Sequence, residues 1–353
     1  MKQYDPNEAE DRARLMLAIV VSLTILLGFY FLVERPKNEE RRARAAIEAS
    51  AQKNAEVEAG VAADDGGDLK TRAAVIAASG QRIRITGEKV SGSIALKGAR
   101  LDDLELRGRY KTVAREEEVE LLNPTGAAGA YYVENGWIAN KSGVKLPTAN
   151  TVWSLAAGSP DEIASGGQPV VLEWDNDEGL VFKRSFALDA NYLFTVRDTV
   201  KNAGTEALDM NAYHLVARHG QPKDFSGFFV LHEGPVAFIG DKHIEPDYKD
   251  LKKGEKIERE DTAGWLGFSD KYWLVALLPD KDARFNARIV GSKGKHSDIY
   301  QSDIVAKTQT LQPGAEISAE THVYAGVKDL KVMRAYEETY GFKKLELGID
   351  FGM

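Results

Sequence analysis

The sequence predicts a mainly β protein: a large antiparallel sandwich closed by one C-terminal helix and standing behind a single membrane-spanning helix and a tether. Three observations carry that expectation. An uncharged run of 19 residues lies near the N-terminus. An Ala, Glu, Arg and Lys-rich stretch with no sustained apolar stripe follows it, and from Gln81 onward short β-branched or alternating runs succeed one another between Gly, Asn, Asp and Pro. The 353 residues are 43% hydrophobic and 28% charged with 11 prolines, which excludes wholesale disorder and leaves room for a sizeable core. Lys and Arg number 46 against 54 for Asp and Glu, a net charge of −8, so the chain lacks the basic footprint of a nucleic-acid binder. Cysteine is absent, which removes disulfides, thiolate metal sites and cysteine nucleophiles.

The first element is the run from Leu15 to Val33, LMLAIVVSLTILLGFYFLV. At about 1.5 Å per residue it spans roughly 28 Å as a helix, close to the ~30 Å hydrocarbon core of a bilayer. Ser22 and Thr24 can return their hydroxyls to the helix backbone. A cleaved secretory signal would be shorter, and small residues would mark its cleavage site where Glu34-Arg35-Pro36-Lys37 stands. The segment therefore reads as an uncleaved anchor. Lys2, Arg12 and Arg14 precede it, and Arg35, Lys37, Arg41, Arg42 and Arg44 follow. This count weakly favours a cytoplasmic C-terminal side, but long domains translocate largely regardless of charge, so topology stays open at this point.

From Glu34 to Ser79 the apolar residues, such as Ile47, Val57 and Leu69, are isolated, and Asp64-Asp65-Gly66-Gly67-Asp68 breaks any helix begun before it. This stretch reads as a flexible linker with a reach near ~35–40 Å. Strand-like runs follow. They include Arg82–Gly87, Leu101–Arg107, Val170–Trp174, Val181–Leu188, Leu193–Lys201, Trp273–Leu278, Phe285–Val290 and Glu316–Ala325, with turns at Asn202-Ala203-Gly204 and Gln312-Pro313-Gly314. Short strands without alternating long helical patterns argue a sandwich rather than βαβ units. Near the end Val327, Leu330, Met333, Tyr336 and Tyr340 recur at helical spacing, and Gly341 stands where a C-cap would fall. That stripe predicts a helix packed on a sheet face. Beyond it Leu345, Leu347, Ile349, Phe351 and Met353 alternate in a strand-like way.

No motif announces chemistry. His214 and His219 are five apart and fall on different faces of either a strand or a helix, and His232 with Glu233 or His243 with Glu245 lacks zincin spacing. No metal or cofactor is expected. Gly291–Ser297 reads as a hairpin turn rather than a phosphate loop, because the spacing is too short and Lys295 is not followed directly by Ser or Thr. Carboxylate clusters such as Glu116–Glu118 suit solvated loops in a chain of this charge. Trp265, Tyr272 and Trp273 cluster within nine residues. They either fill the core or form the wall of a cleft that touches peptide or carbohydrate.

Four segments carry a resemblance. Gly264–Pro279 (GWLGFSDKYWLVALLP), Ser91–Asp103, Leu172–Gly204 and Tyr324–Gly352 are similar, in order, to the periplasmic domain of the YidC/Oxa/Alb family of membrane protein insertases, in alphaproteobacterial style. With the anchor in front, the resemblance covers the whole chain. It implies a β-supersandwich of the galactose mutarotase-like kind with a C-terminal α-helix. It also implies a cytoplasmic arm (1–14), a transmembrane helix (15–33), a flexible linker (34–79), a periplasmic domain (80–341) and an interfacial lead-in to a second transmembrane helix (342–353). That topology runs against the weak charge count. The implied activity is insertion, folding and assembly of inner-membrane proteins, with or without the Sec translocon. The implied partners are nascent membrane proteins, the Sec translocon with its accessory subunits, and the lipid bilayer. The family's groove helices would lie beyond Met353, so no groove residue is carried over. A membrane-anchored mutarotase-like sugar enzyme and a carbohydrate-binding module are the alternatives. His and Glu clustered in the sandwich cleft would mark the enzyme; exposed Trp265 or Trp273 there would mark the binding module.

Overall fold

A computed structural model describes residues 69–222, 232–261, 263–281 and 283–349. The anchor at 15–33, the arm before it, the tether as far as Asp68, and Phe351 and Met353 lie outside the described residues. Among the described residues no helix is long and apolar enough to cross a membrane.

Order begins inside the expected linker. Helix α1 (Arg72–Ala78) starts at Thr71, whose hydroxyl accepts from the Ala74 N–H, and buries none of its residues. Ion pairs hold it instead, with Arg72 bonded to Asp103 and Glu105. The linker therefore ends sooner than composition suggests, because what fixes α1 is a long-range guanidinium contact rather than an apolar stripe.

Twenty strands follow among the described residues. The first group comprises β1 (Arg82–Thr86), β2 (Val90–Ala95), β3 (Arg100–Tyr110), β4 (Glu118–Leu122), β5 (Tyr131–Ala139), β6 (Ser154–Leu155) and β7 (Glu162–Ala164). The middle group is β8 (Val170–Asp175), β9 (Leu180–Leu188), β10 (Leu193–Asn202), β11 (Leu208–His219), β12 (Gly234–Ile239) and β13 (Lys242–Ile244). After a short helix α2 (Tyr248–Lys252) come β14 (Lys256–Asp261), β15 (Gly264–Ser269), β16 (Trp273–Pro279), β17 (Phe285–Lys293), β18 (Asp298–Ala306), β19 (Gln309–Leu311) and β20 (Glu316–Val327). Helix α3 (Leu330–Tyr340) and a 3-10 turn (Leu345–Gly348) close the described chain.

These strands form two sheets. One has 11 strands in the order β14-β17-β18-β11-β5-β3-β2-β1-β7, with β19 added to β11 and β4 to β3; the other has nine in the order β13-β12-β15-β16-β20-β10-β9-β8-β6. Pairing is antiparallel except for β1 against β7, a parallel contact that strand alternation does not reveal. The core lies between the sheets, with Ile83, Leu101, Val133 and Trp137 from the larger facing Phe182, Phe186, Phe194 and Phe268 from the smaller. The eight strand-like runs all fall on strands, with edges shifted by a few residues. The Gly291–Ser297 segment is the β17–β18 hairpin, closed by the Gly294 N–H on the Ser297 carbonyl at 3.0 Å.

Helix α3 begins later than its stripe. Val327 ends β20 opposite Trp273, and Asp329 caps the helix by accepting from the Lys331 and Val332 N–H groups. Met333 and Tyr336 are its buried residues, and it stops at Gly341, whose φ of 74° is a left-handed C-cap that glycine enters without strain. The alternation past Gly341 forms no strand. Leu345 is fully buried and Leu347 and Ile349 pack against the core, so Leu345 lies inside the protein rather than at a lipid boundary.

Candidate functional site

Three polar arrangements stand out. The first bridges the sheets. On β9 the inward phase reads Leu180, Phe182, Arg184, Phe186 and Leu188, placing one cation among four apolar side chains. Directly opposite on β10 stands Asp198, within an inward phase of Phe194, Val196 and Val200. Arg184 Nε meets Asp198 Oδ1 at 2.6 Å, and its other nitrogens donate to the carbonyl oxygens of Ala99 at 3.1 Å and Asn135 at 2.6 Å on the other sheet. The Trp153 ring lies 5.2 Å from the guanidinium. His214 Nδ1 is 3.1 Å from Asn135 Oδ1. Burial, with the nearby Arg184 charge, lowers the His214 imidazole to about 3, so it is neutral at physiological pH. Burial also raises the Asp198 carboxyl against the pull of Arg184.

The second arrangement lines the face of the larger sheet turned away from the core. Arg288 on β17 meets Asp303 on β18 at 2.9 Å, and Gln301 Nε2 donates to the same carboxylate at 2.9 Å. Arg100 Nε meets Glu134 at 2.7 Å, and the Tyr213 hydroxyl donates to Glu134 at 3.0 Å. That tyrosine ring lies across Gly136, where a Cβ would come within 2.6 Å of it, so only glycine fits. Arg82 pairs with Asp102, whose carboxyl burial nonetheless raises. Each of these carboxylates is spoken for by an arginine. A mutarotation site would need an acid and a base free to exchange protons with a sugar. The histidine nearest this sheet's centre, His214, points the other way into the core. Among the described residues no three His, Asp or Glu side chains could hold a metal ion.

The third arrangement fastens the C-terminal segment. Trp265 on β15 is completely buried, and its indole N–H lies 3.1 Å from the Lys343 carbonyl and 3.2 Å from that of Lys344. Four residues along the same strand, the Ser269 hydroxyl donates to the Gly348 carbonyl at 3.2 Å. Phe342 packs against His322 at 5.3 Å and stacks on Tyr340 at 5.3 Å. On the outside Arg334 meets Glu346 at 2.8 Å and thereby lowers the glutamate's pKa. Chain residues 342–349 are thus bolted along the smaller sheet.

The aromatic cluster of the sequence divides in the structure. Trp265 lies in the clamp, whereas Tyr272 stands 56% exposed at the β15–β16 turn with the half-buried Trp273 ring 5.8 Å away. The first is not brought together with the other two. Of the helix stripe, Tyr336 donates its hydroxyl to Asp189, and Leu330, Met333 and Tyr340 share its helix, while Val327 stands on the strand before it. Arg184, Arg100 and the clamp contacts were not singled out from sequence. For Arg184 a signal existed: a charge in the apolar phase of a period-two run.

Architecture and polar layout together define a β-supersandwich module that spends its ionic pairs on its own sheets and holds its C-terminal segment rigidly. A family profile described as YidC periplasmic domain matches residues 82–353. The membrane protein insertase YidC of Methylorubrum extorquens is 34% identical over 371 residues, covering 97% of this chain and 59% of that protein. YidC of Nitrobacter hamburgensis is 37% identical over 290 residues, covering 79% and 47%. The chain belongs to the YidC family, and it spans about three fifths of the length of the relatives it matches along nearly all of its own. Among solved structures, a galactose mutarotase related enzyme from Lactobacillus acidophilus is similar at TM-score 0.49 and 14% identity, covering 69% of this chain and 97% of its own. An aldose 1-epimerase-like protein from Escherichia coli follows at TM-score 0.44 and 10% identity, covering 69% and 98%.

Proposed function

We propose that this chain is the membrane-anchored periplasmic portion of a membrane protein insertase, acting without covalent chemistry. Residues 15–33 cross the inner membrane from a cytoplasmic arm, 34–68 tether the sandwich, and the segment after Ile349 leads back to the bilayer. Nascent membrane proteins are the substrates of the whole protein. The Sec translocon and its accessory subunits are partners of the periplasmic module.

The observation that carries this reading is the clamp of Trp265 and Ser269 on residues 343–348. A terminal segment so fastened transmits the sandwich's position to whatever follows it, which suits a module working beside helices in a membrane. The arginine-paired carboxylates of the outer face support the same reading, since among the described residues Asp102, Glu134 and Asp303 are each held by a guanidinium rather than free for sugar chemistry. The test is complementation. In cells depleted of their own insertase, the complete gene encoding this chain is expected to restore insertion of a reporter membrane protein. Expression in the membrane without restored insertion, joined by aldose epimerisation from the purified chain, would overturn the proposal.

A further inference from the structure

Five large apolar side chains stand exposed among the described residues: Leu69, Tyr110, Val113, Val152 and Tyr272. All but Val152 gather at one end of the sandwich. Lys70 bonds through its N–H to Gly126 in the β4–β5 connection, and Ala130 at the far side of that connection accepts from the His219 N–H. The adjacent Arg218 pairs with Asp270 of the β15–β16 turn at 2.5 Å. Ser269, one residue before, holds Gly348. The chain thus enters the sandwich at Leu69 and leaves it at Ile349 on the same end.

The β3–β4 hairpin bearing Tyr110 and Val113 extends there too. Arg109 is bonded to Tyr192, the next residue, Leu193, pairs with Tyr324, and Val327 pairs with Trp273 at the turn. Val152 bridges Lys97 in the β2–β3 turn at the opposite end. At the tip of the crowded end, Tyr272 and Trp273 meet edge to face and the Lys271 ammonium lies 5.2 Å from the Tyr272 ring. Amphipathic rings beside a flexible cation match the composition of a membrane interface, where rings sit at headgroup level and ammonium groups reach phosphates.

The geometry points to this end as a lipid-contacting surface: Tyr272 and Trp273 rest in the headgroup layer of an anionic bilayer with Lys271 on its phosphates. The inference deepens the reading of a membrane-anchored module and rests on it. Because the chain contains no cysteine, Tyr272→Cys can carry a single environment-sensitive fluorophore, with Gln312→Cys in the β19–β20 turn as the distant reference. The full chain is reconstituted in vesicles of phosphatidylethanolamine and phosphatidylglycerol containing headgroup-nitroxide lipid. Several-fold stronger quenching at 272 than at 312 is expected, falling when Lys271→Glu is added or when phosphatidylcholine replaces the anionic lipid. A chain that floats with the vesicles but is quenched equally at both sites overturns this inference alone; a chain that fails to float overturns the anchored reading as well. A 272 probe that responds to an added apolar peptide and not to nitroxide lipid assigns the tip to peptide and equally overturns it.

Discussion

The entrance and exit of the sandwich lie at the same end but are fastened by different chemistry. At the entrance α1 buries nothing and hangs from Arg72 on Asp103 and Glu105. At the exit Trp265, Phe342 and Leu345 are almost wholly withdrawn from water, and two backbone carbonyls are taken by an indole and a further one by a hydroxyl. Apolar burial is short-ranged and hard to undo piecemeal, whereas a helix that buries none of its residues and hangs from one partly buried guanidinium opens locally. The entrance is therefore a leash and the exit a bolt. On the proposed reading, with a membrane connection at each end, this asymmetry would fix position on one side and leave slack on the other.

Four perturbations break or sharpen the contrast. Trp265→Ala removes the largest side chain of the bolt and should cost about 3–5 kcal/mol, read as a lowered thermal midpoint. It should also loosen residues 343–348, while α1 is unaffected. Acid separates the core from the entrance. The unfolded His214 binds a proton below its ordinary value of 6.5, whereas the folded one resists down to about 3. Stability is therefore lost progressively as pH falls through that window, by roughly 1.4 kcal/mol per unit at most. Denaturant titrations of the parent and His214→Gln should show the parent's deficit growing as pH falls, and a pH-independent difference would contradict this. The exit should follow that loss and the entrance should not.

Arg72→Ala should free α1 and strip the largely buried Asp103 carboxylate of its guanidinium, at a cost of about 2–3 kcal/mol, visible as faster proteolysis near residue 72 with a modestly lowered midpoint. The smallest effect belongs to Glu346. Arg334 lowers its pKa, so the contact contributes above the usual glutamate range and fades as pH falls through the folded value. Chemical-shift titration of Glu346 in the parent and in Arg334→Ala should show the value move upward in the variant.

Much of this architecture can be read along the chain. Strands β8, β9 and β10 show period-two burial because each buries one face, and Gly341 marks the helix stop because its φ excludes most other residues. Val327 misled because a strand's last inward residue can sit in phase with a following helix. Trp265 is harder: its indole finds its partners 78 and 79 residues away, and no local pattern encodes a contact that sheet assembly creates. The same holds for α1, whose guanidinium reaches 31 residues along the chain to Asp103. Arg184 was legible in principle, since a cation in the core phase of β9 calls for an anion in the core phase of a neighbour, and Asp198 answers it.

Amide hydrogen exchange on the full chain in a bilayer tests the difference between bolt and leash most directly. Residues 345–349 should exchange only with global unfolding of the sandwich, and Ala74–Ala78 of α1 through far more frequent local opening. Equal and fast exchange at both ends would contradict the account.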